Sequence, residues 1–360
     1  MEYIGNLDKI AKYLPEGWEA KAKELKAFQR EGEIKTAGEL LMLNLLHMTA
    51  GGSFQGTSSM VRLTAGKSLT KNAVYERIVK SSDWLKWLGQ GVCERSGFMM
   101  KKPEWLGDKR VQLVDASDVS LKGSKKSDWR LHHVFDLFGY SSTKCDITTI
   151  KDGEKLTRYD CFGKNDIVKG DRIYCTLQGI EHLKSSESDF ILRFKSKAFT
   201  LYDENGETID LLPTIRHLGE LESTSIACFY KVNGKLYPIR ICAMKKEATA
   251  AEKAKRKSKE TSRRKQKKGA TVETLELNEY IVLATSLDFD DEKIFELYRA
   301  RWQIELVFRR LKSIFGFAEV PSVKENSVKA WFSGVLLLAA ICEAIQKDSH
   351  FSPLQQTPEL

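Results

Sequence analysis

The sequence has no apolar run that could cross a bilayer. Its longest, Val335–Cys342 (VLLLAAIC), is far short of the ~20 residues that a spanning helix needs. The start, MEYIGNLDKI, has none of the basic, apolar and small-residue blocks of a secretory signal. Seven cysteines stand at wide spacings with no CxxC pair, which argues against a disulfide framework and against a zinc ribbon. They read as reduced, structural thiols in a cytoplasmic protein. Gly51-Gly52 has no phosphate-loop pattern around it, so no nucleotide cofactor is indicated. His132-His133 is not a metal pair either, because neighbouring residues of a strand point to opposite faces.

What is present is a globular chain of 360 residues, 42% hydrophobic and 30% charged, long enough for two or three domains. The net charge of +9 has a single source. Lys245 to Lys268 hold twelve Lys/Arg against three acids, and the rest of the chain is balanced. A compact basic element on a neutral body suits a polyanion, nucleic acid above all, through counterion release. The alternative is a solvated basic loop.

The first hundred residues carry helix periodicity and no hairpin signals. Ser58–Leu63 and Leu69–Val79 read as two helices joined through Ala65-Gly66-Lys67, with Ser68 or Thr70 available as a cap. This layout permits a helix-turn-helix that would offer Lys71, Asn72, Tyr75 and Arg77 to a DNA groove. Trp84, Trp87 and Leu88 form a core stripe. From Arg110 the texture turns to strands: VQLVD (111–115), LHHVFDLF (131–138), CDITTI (145–150), DRIYC (171–175) and DFILRF (189–194). Asn205-Gly206 and Asn233-Gly234 centre two hairpins, 198–211 and 225–244. A strand over 279–287 and helices over 290–315 and 323–345 complete the outline.

The helix beginning near Asp291 carries the densest chemistry. At ~100° per residue, Tyr298, Arg301, Glu305 and Lys312 fall within one ~60° stripe, opposite an apolar arc that includes Ile304, Phe308 and Leu311. One carboxylate cannot hold a hard divalent cation alone, so strand ends must supply partners. Asp115 or Asp118 is one candidate, and Asp171, Asp160 or Asp166 the other. Spacing leaves that choice open.

In YRARWQIELVFRRLK, the residues Tyr298, Arg301, Glu305 and Lys312 match the Y-(2)-R-(3)-E-(6)-K signature of the IS-four family of bacterial insertion-sequence transposases, and the chain resembles that family. LVDASDVSL (113–121) looks like its first-Asp motif and GDRIYC (170–175) like its second. The resemblance runs from about Arg110 to Ile345, and more loosely through SSDWLKWL (81–88). It implies an α/β, RNase H-like mixed sheet with flanking helices, a β-rich insertion and an N-terminal all-helical domain. The expected layout is 1–105 helical and DNA-binding, 106–196 the first part of the core, 197–288 the insertion with the basic segment 245–268, 289–348 the second part, and 349–360 a tail.

Carried over, the triad is Asp115, Asp171 and Glu305, holding two Mg²⁺ ions, with Mn²⁺ as a substitute. Arg301, Lys312 and Tyr298 would contact DNA phosphates. Lys255, Arg256, Lys257, Arg263 and Arg264 of the basic run would follow the backbone of the transposon end. The implied reaction is cut-and-paste transposition by a homodimer on double-stranded DNA: nicking at inverted-repeat ends, hairpin formation and opening, and strand transfer to a target. Because no Trp lies between Trp129 and Trp302, Phe229, Tyr230 or Tyr237 would have to stack a flipped base. The competing readings are a domesticated or decayed copy that only binds DNA, and a metal-dependent nuclease without strand transfer.

Overall fold

The computed structural model describes residues 7–49, 52–96, 101–121, 129–139, 141–195, 198–266, 271–300, 319–320, 322 and 324–348. The chain forms two compact units. One is Met1–Gly107 with Asp115–Gly153 and Gln303–Leu360, and the other is Asp108–Val114 with Glu154–Trp302.

The first unit opens with helices α1 (Leu7–Ala11), α2 (Trp18–Glu24), α3 (Ala37–Thr49), α4 (Phe54–Ala65), α5 (Lys71–Lys80) and α6 (Ser82–Ser96). Helix α3 is apolar nearly all round and accordingly buried, with Leu40, Leu41 and Leu43 in the core. Its one buried amide, Asn44, donates to the Leu40 carbonyl at 2.8 Å and to Ser81 Oγ at 3.2 Å, which offsets the cost of burial. The α4–α5 turn is built as its residue types require. Ser53 Oγ accepts from Gly56 N, Gly66 ends α4 at φ 66°, and Thr70 Oγ1 accepts from Ala73 N at 3.1 Å to start α5. Helix α4 is longer than the sequence suggests, because Ser53 caps it five residues before Ser58.

In the same unit, strands β2 (Trp129–Asp136) and β3 (Ser141–Thr149) pair antiparallel in the order β3-β2-β1, where β1 is Arg110–Leu121. A two-residue strand, Glu319–Val320, pairs in parallel with the end of β1. A long apolar helix (Glu325–Asp348) packs on α6 and β3. His132 and His133 are both buried; His132 Nε2 shares a hydrogen bond of 2.8 Å with Thr148 Oγ1, and His133 lies 6.1 Å from the Phe332 ring. Both act in the core, as does Trp84, whose Nε1 donates to the Trp18 carbonyl.

In the second unit the strand order is β1-β4-β5-β8-β7-β6. β1 runs parallel to β4 (Asp166–Gly170), and β4 parallel to β5 (Asp189–Arg193), with helix α7 (Leu177–Ser185) crossing between them. The short helix α8 (Leu211–Ile215) precedes β6 (Ser223–Val232) and β7 (Lys235–Lys245), a hairpin turned by Asn233 and Gly234 at φ 49° and 79°. Helices α9 (Ala248–Gln266) and α10 (Val272–Leu277) lead to β8 (Tyr280–Thr285), which is antiparallel to both β5 and β7. Residues 291–300 are helical and form α11. The whole is an α/β fold of the RNase H-like type.

Two sequence expectations are corrected. DRIYC is not a strand: the strand is the preceding Asp166–Gly170, and Asp171–Cys175 is a turn in which Tyr174 N donates to the Asp171 carbonyl at 3.0 Å. Lys169, buried inside that strand, breaks the apolar run that would have marked it. The hairpin expected around Asn205-Gly206 is reduced to one bridge, Tyr202↔Thr208, because the Asp203 carboxylate takes the Asn205 and Glu207 amides that a ladder would use.

Candidate active site

The competing carboxylates separate by their partners. Asp166 is fully buried and receives Arg110 Nε and Nη2 at 2.9 and 3.0 Å, together with Gly163 N at 2.9 Å. Asp118 is exposed and paired with Arg130 at 3.0 Å. Both are structural. Asp160 is exposed, whereas Asp115 and Asp171 are half-buried. The parallel register sets Leu113 opposite Lys169, and Asp115 and Asp171 each follow their register residue by two positions along the chain. Glu305, Arg301 and Lys312 lie outside the described residues. Among the described residues no group of three or more His, Cys, Asp or Glu is arranged for a metal ion. The two aspartates are hard oxygen donors, the type that Mg²⁺ and Mn²⁺ take.

Tyr298 stands on α11, at the edge of a cationic cluster. Arg193, the last residue of β5, donates from Nη1 to the Tyr298 hydroxyl at 3.0 Å. Lys169 is 1% exposed; its ammonium lies 5.2 Å from the Tyr298 ring centroid and donates to the carbonyls of Leu297 and Tyr298. Next to Asp171, the Arg172 guanidinium donates to Asn278 Oδ1 at 3.4–3.5 Å, and Lys246 Nζ donates to the Asn278 carbonyl. Burial, and then the Arg193 and Arg172 charges, push the Lys246 ammonium down to about 8. Arg172 is lowered by burial and by Arg193, while Asp171 and Tyr298 act in the opposite sense. Sequence reading singled out neither Arg172, Arg193 nor Lys246. The available signal was their position: each stands at or just past the carboxyl end of a strand, the place where open α/β sheets bind ligands.

The basic run is a helix, not a loop. On α9, Ala251, Ala254, Lys255, Ser258 and Ser262 recur at helical spacing and are covered to varying degrees, while Lys253, Arg256, Lys257, Lys259 and Arg263 are exposed. Lys255 is held by Glu279 at 2.6 Å, which raises its pKa. The Arg264 side chain lies outside the described residues. On α5, Lys71 and Asn72 are exposed, and Arg77 is half-buried against Gly32.

Of the aromatics considered for base stacking, Tyr230 is corrected. It is 2% exposed and its hydroxyl donates to Glu181 at 2.6 Å, so its ring is closed to a base. Tyr237 stacks on Tyr230 and carries the Lys184 ammonium 3.4 Å from its ring centroid, and Phe229 is half-buried. Cys175, Cys228 and Cys242 are buried, and burial raises each thiol to about 12. None is a nucleophile near neutral pH.

An RNase H-like sheet with Asp115 inside its strand β1, Asp171 just past the neighbouring parallel strand β4, and a following helix that carries Tyr298 is consistent with the framework of a DDE transposase. Residues 106–341 match the family model described as Transposase DDE domain, and the chain belongs to that family. It is 29% identical over 355 residues to the transposase InsL of insertion sequence element IS186A from Escherichia coli strain K12, covering 94% of this chain and 93% of that one. It is equally 29% identical over 356 residues to the transposase of insertion sequence element IS421 from Escherichia coli, with the same coverage. A shorter match, 34% over 68 residues, joins it to the transposase of IS231F from Bacillus thuringiensis subsp. israelensis, covering 19% of this chain and 14% of that one. The protein is a transposase of the IS-four group, an enzyme of a family that acts on DNA and uses divalent metal ions. Among the described residues no helix is long and apolar enough to cross a membrane.

Proposed function

We propose that Asp115, Asp171 and Glu305 are the catalytic triad, that they hold two Mg²⁺ ions replaceable by Mn²⁺, and that the enzyme cuts its element from one site and joins it to another. The observation that supports this reading is the parallel register that ends at Leu113↔Lys169. Asp115 and Asp171 each follow it by two residues, Asp171 just past the end of β4 and Asp115 within β1, which runs on to Leu121 where the sequence had suggested a strand end. When bound, the metal ions supply an activated oxygen nucleophile and stabilise the oxygen that departs.

The side chains do the rest. The three carboxylates hold the ions and, being acceptors only, leave the scissile phosphate to the cations. Arg301 grips a phosphate with its fork, Lys312 adds a point charge, and Tyr298 donates to a phosphate near the cut. The outer face of α9, with Arg256, Lys257 and Arg263, follows the backbone of the transposon end, joined by Lys255 and Arg264. Lys71, Asn72 and Arg77 of α5 enter a groove of the same duplex. The sequence of steps is nicking at an inverted-repeat end, attack of the freed 3′-hydroxyl on the opposite strand, hairpin opening and strand transfer. Two copies pair two ends, so the working form is a homodimer on double-stranded DNA in the bacterial cytoplasm, at the nucleoid.

The test uses the purified enzyme, a supercoiled plasmid carrying the element's ends, and Mg²⁺. Asp115→Asn, Asp171→Asn and Glu305→Gln each abolish cleavage while retaining DNA binding, a loss of at least ~10³-fold, or about 4 kcal/mol. Cleavage that survives any one of the three refutes the triad. Wild-type cleavage without joining of a pre-cut end would establish a nuclease instead.

A further inference from the structure

We propose that Arg172, Arg193 and Lys246 form a subsite that grips one phosphodiester of the DNA beside Asp171. The proposal rests on the transposase reading and adds to it three residues outside the Tyr298–Lys312 signature.

The topology brings them together. β4 and β5 are parallel, and β7 runs with β5 because both are antiparallel to β8. Arg172, Arg193 and Lys246 therefore leave the sheet at the same end, the carboxyl end, on which Asp171 also lies. Arg172 and Lys246 meet on the two oxygens of one residue, Asn278, and Arg193 at the same sheet end reaches the Tyr298 hydroxyl.

Among the described residues positive charge is in excess here, with Asp171 offsetting Arg172 in part. Among the described residues, the hydrogen bonds of all three end on neutral oxygens: the Asn278 side-chain and backbone carbonyls and the Tyr298 hydroxyl. Among the described residues no ion pair joins any of them to a carboxylate. The Nε atoms of both Arg172 and Arg193 are buried with no hydrogen-bond partner. Three partly buried like charges with two orphaned donors cost several kcal/mol unless an anion completes them. Asn278, buried and fixed through Nδ2 to the Thr274 carbonyl at 2.7 Å, holds Arg172 and Lys246 in place without neutralising them. A phosphodiester suits this set: its two unesterified oxygens match guanidinium forks, and its single negative charge balances the excess without displacing Asp171.

The experiment is a chemical double-mutant cycle on the full chain. Binding is measured against salt for duplexes carrying an element end, with a single methylphosphonate placed at each position in turn, for the wild type, Arg193→Gln and Lys246→Gln. The expected result is that each variant lowers the slope of log K against log[salt] by about one. One methylphosphonate position, which weakens wild-type binding, should no longer weaken the variants, while the other positions still do. A slope and penalty pattern equal to wild type in Lys246→Gln overturns the subsite, and that variant leaves Tyr298 its partner should Arg193→Gln fold poorly. Mg²⁺-dependent cleavage of the unmodified duplex by the wild type is scored alongside. Its absence counts against the catalytic reading alone, whereas cleavage with an unchanged slope counts against the subsite alone.

Discussion

Arg193 and Tyr298 meet at 3.0 Å, guanidinium to hydroxyl, and so tie the end of β5 to α11. The bond fixes the phenol of a residue whose proposed partner is DNA. Tyr298→Phe removes the acceptor and leaves the half-buried Arg193 with one donor fewer satisfied. A hydrogen bond to a charged group contributes ~1.5–3 kcal/mol, so single-turnover cleavage should fall by about 10- to 100-fold. An unchanged rate in Tyr298→Phe would deny the hydroxyl any part in positioning.

The Asp166–Arg110 pair and the Asp118–Arg130 pair make a matched test of burial. Asp166 is fully enclosed, whereas the Asp118 side chain is half open to water. Asp166→Ala leaves the Gly163 amide without its acceptor and frees Arg110, itself half open to water, and should cost about 1–3 kcal/mol in urea unfolding. Asp118→Ala should cost less than ~1 kcal/mol. Equal losses would mean that burial does not set the difference.

Lys246 should make stability rise with pH. Its ammonium, faced by Arg172, Arg193 and the Asn278 carbonyl, is held down to about 8 in the folded chain against 10.5 ordinarily. Between those values the unfolded chain binds more protons than the folded one, so unfolding becomes harder as pH climbs through the window. Below the window the folded chain bears the full penalty of the buried charge. Lys246→Met should therefore be the more stable chain near neutral pH, and its advantage should shrink in unfolding curves taken toward the top of the window. A constant difference across the window would refute the assignment.

The exposed face of α9 should account for non-specific affinity and contribute little to stability. Replacing Arg256, Lys257, Lys259 and Arg263 together by Gln removes four solvent-facing cations. If all four meet phosphates, the salt slope falls by up to about 3.6, at ~0.9 for each contact. Each surface change alters stability by only ~0.5 kcal/mol or less. Retention of the full slope would move the duplex off this helix.

Much of the scaffold was legible. The Thr70 cap, the Gly66 stop and the Asn233-Gly234 turn are local chemistry with one main outcome each, and the structure follows them. The strand carrying DIVKG was not legible, because Asp166 and Lys169 are buried polar residues whose partners, Arg110 and the Leu297 and Tyr298 carbonyls, are remote in sequence. The availability of Tyr230 was unreadable for the same reason, since Glu181 closes it off from another element. The Arg172–Arg193–Lys246 cluster depends on strand order, which one-dimensional spacing does not encode.

Lys169 acts as a rivet. Two residues before Asp171, its ammonium is clamped to the backbone of α11. One side chain thereby joins the strand that leads into Asp171 to the backbone of α11, and under the proposed reading a duplex held against α11 would bear on the turn of that aspartate through it.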